Sequence, residues 1–258
     1  MIYKFIKRAA PVAIIAMSTA LAGCGDMNIN INGDEGVPLA ELDISGDTPT
    51  ELVLAGPDKV VLTSGDALTI DVAGDDEAIN LLRFTNEDGT LGIMRANGKW
   101  SDSGTAIVTV TMPAPTAITI AGSGSAEAET VASDADLTIA GSGSLSISNV
   151  DVTKIDATIA GAGSLSAAGN VEKLDLNVLG SGSGDMADLL VNVADITIAG
   201  SGDARFASDG EVAATIMGSG SVTVTGSATC EVETMGSGSL NCEGGTKNAA
   251  EGESAEEA

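Results

Sequence analysis

A short glycine motif recurs through the second half of this sequence. The segment Thr-Ile-Ala-Gly-Ser-Gly, or a close variant of it, occurs seven times between residues 119 and 238. The intervals between successive first glycines are 19, 20, 19, 20, 18 and 18 residues, and those glycines are Gly122, Gly141, Gly161, Gly180, Gly200, Gly218 and Gly236. A fixed period of this size indicates a solenoid, in which each repeat buries its apolar face only by stacking on its neighbours.

The residues around each glycine alternate between apolar and polar types. Apolar residues stand four and two positions before most of these glycines, as in Ile118 and Ile120, with a polar residue such as Thr119 between them. The alternation resumes after the glycines, as in Leu145 and Ile147. A period of two with many β-branched residues is typical of a strand with one buried face. The glycines are therefore predicted to form corners between strands, because glycine allows positive φ angles and close approach of neighbouring coils.

These features predict an all-β protein built on a parallel β-helix of about seven coils of 18–20 residues. A third apolar position would give each coil three sides, and it falls near Val131, Val150, Val171 and Leu190. A phosphate-binding loop is the alternative explanation of a glycine string. Such a loop occurs once, between a strand and a helix and with a lysine in register, whereas these seven motifs lie between strands and contain no lysine.

The first 24 residues have the three parts of an export signal. Basic residues Lys4, Lys7 and Arg8 precede an apolar run over residues 9–20, and Leu-Ala-Gly-Cys follows at residues 21–24. The last four residues form a lipobox, which predicts a lipoprotein signal peptide over residues 1–23 and lipidation of Cys24. An ordinary secretory signal or a spanning helix is the alternative, but the apolar run is shorter than the ~20 residues that a span needs.

A lipidated cysteine also predicts where the protein is located. Acyl chains hold a protein on a membrane without a spanning helix. We therefore expect a protein of the bacterial cell envelope that is lipid-anchored to a membrane, with its body in the periplasm or at the cell surface.

Composition divides the rest of the chain into four segments. Residues 24–39 are rich in Asn, Gly and Asp and are predicted to be a flexible tether. Residues 40–115 contain short strand-like runs and are predicted to be a β-rich opening section that continues into the solenoid and covers its first open edge, although a separate domain is the alternative. Residues 116–243 hold the glycine-cornered repeats, and residues 244–258 are predicted to be a disordered acidic tail.

The mature chain would be strongly acidic. Three of the 11 Lys and Arg residues lie in the signal, which leaves 8 against 37 Asp and Glu residues and a formal charge of −29. Nucleic acid is therefore not expected as a partner, because affinity for phosphate backbones comes mainly from Lys and Arg. The chain has no histidine, which excludes a Ser-His or Cys-His catalytic pair within it. No catalytic residue and no cofactor is predicted.

Two cysteines remain once Cys24 is lipidated. Cys230 lies six residues before Gly236 and Cys242 lies six residues after it, and both fall on the inward phase of the alternation. Outside the cytoplasm such a pair is predicted to form a disulfide in the last coil, with two buried free thiols as the alternative.

Acidic residues recur five positions before the first glycines. Asp136, Asp156, Asp175 and Asp195 occupy this position in four successive repeats, so their carboxylates would form a column at coil spacing. Stacked carboxylates repel one another, and protonation or a bound cation such as Ca²⁺ relieves that repulsion. The simpler interpretation is a solvated acidic face. The alternative is a weak cation-binding column.

Three parts of the sequence carry a family resemblance. They are Met-Pro-Ala-Pro at residues 112–115 leading into residues 118–125, the later Gly-Ser-Gly-Ser strings, and Glu-Asp-Gly-Thr-Leu-Gly-Ile at residues 87–93. Together they resemble the head GIN domain family of auto-transporter adhesin heads, over about residues 40–243. The resemblance implies a right-handed β-helix at a bacterial envelope and an adhesion role. It supplies no catalytic residues.

The leading hypothesis is a non-enzymatic envelope lipoprotein whose β-helix is an adhesion, scaffold or contact surface for an unknown envelope or extracellular partner. A module that binds divalent cations or another ligand on the Asp column is the alternative. A polysaccharide-active β-helix enzyme is less favoured, because such enzymes use aromatic-lined grooves and basic residues. The aromatic residues of the mature chain are only Phe84, Trp100 and Phe206.

Overall fold

Strands make up 69% of the described chain, which comprises residues 15–18, 28–31, 34–97, 100 and 103–249 of a computed structural model. The opening section contains β1 (Ile15–Ser18), β2 (Asn28–Ile31), a 3₁₀ turn (Leu39–Glu41), β3 (Glu51–Ala55), β4 (Lys59–Ser64), β5 (Thr69–Gly74), α1 (Asp76–Leu81), β6 (Leu82–Glu87), β7 (Thr90–Arg95) and β8 (Ala106–Met112). The repeats form β9 (Ala117–Gly122), β10 (Ser125–Ala128), β11 (Asp134–Gly141), β12 (Ser144–Gly161), β13 (Ser164–Gly180), β14 (Ser183–Gly200), β15 (Asp203–Gly218), β16 (Ser221–Thr225), β17 (Thr229–Gly236), β18 (Ser239–Glu243) and β19 (Thr246–Ala249).

Neighbouring repeats pair as parallel strands in register. Ile139 pairs with Ile159 of the next coil, and Gly141 pairs with Gly161. The same one-coil register before the corners continues through β13, β14, β15 and β17. The prediction of an all-β parallel β-helix is therefore confirmed, and the repeats form a β-solenoid of about seven turns.

The two glycines of each corner are required for different reasons. At Gly161 φ is 123°, which lies in the region that favours glycine. At Gly163 an added Cβ atom would lie 2.8 Å from the carbonyl oxygen of Gly143 in the preceding coil. The corner backbone is also joined to that coil, since the amide of Ser164 donates to the Gly143 oxygen over 3.0 Å. The first glycine is thus required by backbone conformation and the second by the close contact between coils.

The core is a continuous stack of mostly aliphatic side chains inside the coils. Buried residues occupy the predicted inward positions on both sides of the corners, among them Ile118, Ile139, Ile159, Val178, Ile198, Ile216, Leu145, Leu165, Ala204 and Val222. They belong to one apolar cluster that extends from β3 to β18. Each coil therefore shares its core with the next coil, as expected of a solenoid.

The predicted third apolar position is wrong in one repeat. Val131, Val150 and Val171 are buried, but Leu190 is 43% exposed and its neighbour Leu189 is buried instead. The pairing of β13 with β14 shifts register just before this point. Because side chains alternate between the two faces of a strand, an extra residue in β14 turns Leu190 to the outer surface.

The opening section forms the first coils of the stack, but not in sequence order. Strand β3 pairs with β7 on one side and with β9 on the other, and β4 lies in the same way between β8 and β10. The coil made by β7 and β8 is therefore the first of the stack, although β3 and β4 precede it in the chain. Strands β5 and β6 pair antiparallel with β8 and β7 and cover this end of the solenoid.

The two segments predicted to be a tether and a tail contact the solenoid where the structure describes them. Ile31 is buried, and the backbone of Val37 forms a bridge with Phe84, so the predicted tether meets the body from Ile31 onward. Strand β19 falls within the predicted acidic tail and pairs with β17. Cys24 and residues 250–258 lie outside the described residues.

The N-terminal region contains a separate pair of short strands. Strand β1 lies inside the predicted signal peptide and pairs antiparallel with β2. In the part of the chain that the structure describes, no helix has both the length and the apolar character that crossing a membrane requires.

Candidate functional site

The strands that precede the glycine corners present a flat outer surface, which we name the threonine face. It consists of three columns, which stand five, three and one positions before the first glycines. The central column is Thr119, Thr138, Thr158, Asn177, Thr197, Thr215 and Glu233. Because the register is kept from coil to coil, neighbours in a column lie about 4.8 Å apart. The face is therefore a regular array of mostly short side chains on a hydrogen-bonded sheet.

The four predicted aspartates are neighbours in the first column, which we name the acidic column. Asp136 pairs with Asp156, Asp156 with Asp175, and Asp175 with Asp195. Ala213 interrupts the column in the next coil, and Glu231 follows it. The structure thus brings together the residues that the sequence placed in one column.

Lysine 154 partly neutralises the acidic column. Its Nζ atom lies 2.5 Å from a carboxylate oxygen of Asp156. In the neighbouring outward column, Lys154 pairs with Asp134 on one side and with Lys173 on the other. The acidic column therefore has its own counter-charges on one flank.

Two pKa values report on these contacts. Burial raises the pKa of the Asp136 carboxyl, the negative charge of Asp156 raises it further, and the positive charge of Lys154 opposes the change. The hydrogen bond to Asp156 raises the pKa of Lys154, with the charges of Asp156, Asp175 and Asp136 acting in the same direction and burial opposing them. Both directions follow from carboxylates that repel one another and attract a shared lysine.

The described residues contain no group of three or more His, Cys, Asp or Glu residues that could hold a metal ion. Ca²⁺ takes six to eight oxygen ligands that converge on one point. Carboxylates on the outer face of parallel strands stand side by side at coil spacing instead. Cation binding by Asp136, Asp156, Asp175 and Asp195 therefore stays a prediction.

The third column, one position before the first glycines, contains exposed apolar side chains. We name it the corner column, and its members are Ala121, Ala140, Ala160, Leu179, Ala199, Met217 and Met235. Leu179 is 47% exposed, Met217 38% and Met235 59%. The sequence analysis missed this column, although the motif variants that end in Leu-Gly and Met-Gly were its signal.

The first coils show how the outer surface is covered within the chain. There the corner column continues through Ala55, which pairs in register with Ala121, and then through Met94, which pairs with Ala55. Ile31 and Trp100 pack over these residues together with Val53 and form a second apolar cluster. Apolar side chains from outside the solenoid thus cover the beginning of this surface, and its later coils are exposed.

Two shallow grooves lie on the outer surface of the repeats, and only the second includes members of the acidic column. One has a volume of about 250 Å³ and is lined in part by Asp151, Glu172, Leu190 and Asp209. The other has a volume of about 350 Å³ and is lined in part by Lys173, Val193, Asp195, Glu211 and Glu231. Their linings supply carboxylates without a histidine or an arginine. Neither groove therefore pairs a nucleophile with a histidine base.

The two predicted partner cysteines are joined in the structure. A disulfide connects Cys230 of β17 with Cys242 of β18. Cys230 is buried and Cys242 is partly buried at the C-terminal end of the core. The bond therefore links the two strands on either side of the last glycine corner.

Solved structures with a similar fold include proteins of Bacteroides fragilis and Parabacteroides distasonis. A putative adhesin of Bacteroides fragilis aligns with a TM-score of 0.63 and 18% identity, over 78% of this chain and 91% of its own. A putative lipid binding protein of Parabacteroides distasonis aligns with a TM-score of 0.60 and 19% identity, over 80% and 94%. A putative adhesin of the same species aligns with a TM-score of 0.54 and 18% identity, over 79% and 93%. These likenesses show a shared fold.

Comparison of the sequence with known proteins identifies a single family. None of the curated proteins matches this chain. A family model does match, and it covers residues 48–228, which include the interleaved first coils and almost all of the repeats. The chain belongs to the family described as "Putative auto-transporter adhesin, head GIN domain".

Proposed function

We propose that this protein is a non-enzymatic lipoprotein of the bacterial cell envelope whose threonine face is a contact surface for adhesion or scaffolding. The observation that carries the proposal is the unbroken register of that face from Ala117–Gly122 to Thr229–Gly236. A sheet with this register presents side chains at fixed spacing, which suits recognition of an extended surface. The family and the structural neighbours, described as adhesins, support an adhesion-type role.

Lipidation of Cys24 would place this surface close to a membrane. Six residues lie between Cys24 and Ile31, where the chain meets the solenoid, so seven residue steps join the two. A fully extended segment of that length spans at most about 25 Å. The tether is therefore shorter than the composition of residues 24–39 suggested, and the first coils would lie next to the anchored end.

The divalent-cation alternative has weaker support. Lys154 already pairs with Asp156, and the charges along the column are reduced without an added ion. A polysaccharide-active enzyme has less support still, because the described groove linings contain no aromatic side chain and a single lysine. The contact role needs neither a metal nor a catalytic group.

A deletion strain tests the contact role. We expect loss of the gene to reduce attachment or aggregation of the host cells, and the full chain supplied on a plasmid to restore it. The variant Cys24→Ser should leave the protein out of the membrane fraction and should not restore attachment. Normal attachment and aggregation in the deletion strain would contradict the proposal.

Proteolysis of intact cells locates the surface. Digestion of the protein on intact cells is expected if the threonine face meets the medium. Protection until the outer envelope is opened would place the contact within the envelope and contradict a role in adhesion to other cells.

A further inference from the structure

We propose that the exposed part of the corner column, with the acidic column beside it, is the docking site for a basic amphipathic helix of another protein. This inference rests on the contact role proposed above and specifies its partner. That part comprises Ala140, Ala160, Leu179, Ala199, Met217 and Met235, of which Ala160 and Ala199 are half-buried and the other four are exposed.

The apolar residues of this column form a concentrated patch. The described chain has seven large apolar side chains that are well exposed, and three of them, Leu179, Met217 and Met235, stand in this single column. Outward positions of a strand are ordinarily polar when one face is buried. A contiguous apolar patch with a polar border marks an interaction site more often than scattered single residues do.

The chain itself shows what kind of group covers such a surface. Over the first coils, the same column is buried beneath Ile31 and Trp100. Both are protein side chains, one aliphatic and one aromatic, contributed by segments outside the solenoid. Beyond Ala121 the structure provides no equivalent cover within the described residues, and Ala140 is already exposed.

The carboxylates beside the corner column indicate that the partner is positively charged. Asp175, Asp195 and Glu231 stand four residues before Leu179, Ala199 and Met235 on the same outer face. Four residues of a strand span about 13 Å. A partner that covers the apolar side chains therefore reaches the carboxylates, and Lys or Arg residues on that flank would pair with them.

The same charges argue against a second copy of this chain. The mature chain has a formal charge of −29, so two copies repel one another. Two of its basic residues on the sheets, Lys59 and Lys154, are already paired with Glu127 and Asp156. A membrane surface is disfavoured for a related reason, since anionic headgroups would be repelled by the acidic column.

The dimensions fit a helix that lies along the solenoid axis. Five coil steps separate Ala140 from Met235, which is about 24 Å, the length of a helix of about 16 residues. One helical turn rises about 5.4 Å, close to the coil spacing of about 4.8 Å, so apolar residues three or four apart would meet successive coils. A helix diameter of about 10–12 Å also matches the width from the apolar column to the carboxylates.

The probe is a fluorescent 16-residue peptide of Leu and Lys arranged at helical spacing, and its binding is followed by anisotropy. The full chain, purified in a non-ionic detergent, is titrated into it, with detergent alone as the blank. The variant Leu179→Ser/Met217→Ser/Met235→Ser removes the apolar side chains. The variant Ile44→Ser/Ile107→Ser/Leu190→Ser removes three equally exposed apolar side chains elsewhere and is the matched control.

We expect the column variant to weaken peptide binding at least about tenfold, since each buried apolar side chain contributes at least that order of affinity. The control variant should bind within about twofold of the wild type. Replacing Asp175 and Asp195 by Asn should also weaken binding and reduce its dependence on salt. Equal loss in the two triple variants, or loss in neither, would overturn the proposal.

Two further outcomes separate this inference from its alternatives. Co-sedimentation of the Cys24→Ser variant with phosphatidylcholine vesicles, lost only when the three column substitutions are added to it, would identify a lipid face and overturn the proposal. In the deletion strain, full rescue of attachment by the column variant would leave the contact role standing and reject this docking site. If the deletion strain attaches normally but peptide binding still depends on the corner column, the contact role is rejected and the docking site stands.

Discussion

Arg95 and Asp58 form a buried ion pair between the first two coils of the solenoid. The Nε and one terminal nitrogen of the guanidinium donate to the two carboxylate oxygens over 2.7 and 2.5 Å. The remaining donors reach Ser103 and the carbonyl of Gly104, and the Asp58 carboxylate also accepts from the amide of Ala106. Asp58 lies in the corner that follows β3, at the place of the second corner glycine, since the amide of Ser125 donates to the Asp58 backbone oxygen as the amide of Ser144 donates to that of Gly124.

Removal of the arginine should destabilise the protein strongly. In Arg95→Met the Asp58 carboxylate would stay buried without its partner, and we expect the free energy of unfolding to fall by about 3–5 kcal/mol. Urea denaturation measures this change. The matched control is Lys59→Met, which breaks the exposed pair with Glu127 and should cost less than about 1 kcal/mol. Equal effects of the two variants would show that the buried pair has no special role.

The corner glycines give a second test of the fold. In Gly163→Ala the new methyl group would meet the Gly143 oxygen and the side chain of Ile139. We expect a loss of about 1–3 kcal/mol, which is typical of local backbone or packing strain. Ala162→Ser, between the two glycines of the same corner, is the control, because this exposed position is serine in the other repeats. A stable Gly163→Ala variant would mean that neighbouring coils can separate at the corner.

The repeats were predictable because each coil repeats the same local chemistry. The alternation around Ile159 and the spacing of the glycines determine both strand direction and register, and the structure follows them. The order of the first coils was not predictable, because the apolar runs of β3 and β7 are equivalent as strands and their neighbours depend on long-range pairing. The partnership of Asp58 with Arg95 depends on that same order, so sequence spacing could not reveal it.

The candidate site was predictable to a similar extent. Period-two alternation identified the acidic column, because outward residues of stacked coils align whenever the register is regular. The corner column was equally accessible, because the residue before each glycine continues the same alternation, but the predicted outward positions did not include it. Leu179 and Met235 are exposed because their position continues the outward phase of the strand. Alternation predicts this exposure only if the strand is extended to the residue directly before the glycine.

The pKa of Asp136 should depend on the charges of its neighbours in and beside the acidic column. Its pKa is raised by burial and by the charge of Asp156, and lowered by Lys154. We expect Asp156→Asn to lower the pKa of Asp136 and Lys154→Met to raise it. Carboxyl carbon NMR titration measures both shifts, and Asp209, which lies away from the column, is the internal reference. Identical Asp136 titration in both variants would show that the column carboxylates do not interact.

The same pKa determines the sign of a stability effect. A carboxyl whose folded-state pKa is raised binds protons more tightly in the folded state, so stability falls as pH rises through the interval from the unfolded to the folded value. Above that interval the unfavourable contribution is fully present. We therefore expect Asp136→Asn to be stabilised relative to the wild type at pH 7, and the difference to disappear in acid below the unfolded value. Urea denaturation across this pH range measures it.

Asp209 provides a control of opposite sign for that experiment. Two hydrogen bonds from Ser227 lower the pKa of Asp209, and the one from the backbone amide has a larger effect than the one from the hydroxyl. A lowered carboxyl pKa contributes stability above the unfolded value, and this contribution is lost as pH falls through the folded value. Asp209→Asn should therefore be less stable than the wild type at pH 7. The same sign for both aspartates would contradict the assignment of the Asp136 shift to burial and repulsion.

The disulfide between Cys230 and Cys242 should stabilise the C-terminal coils locally. It closes a loop over a sequence separation of 12 residues, for which a stabilisation of about 2–3 kcal/mol is typical. Because coils of a solenoid contact only their neighbours, its loss should act mainly on the end of the stack. In Cys230→Ala/Cys242→Ala we expect faster amide hydrogen exchange in β16, β17, β18 and β19, with little change in β12 and β13.

Treatment of the wild type with a reductant should give the same pattern, whereas Cys24→Ser should exchange as the wild type does. Faster exchange throughout the repeats would instead show that the whole solenoid unfolds as one cooperative unit, and that its stability depends on the terminal coil.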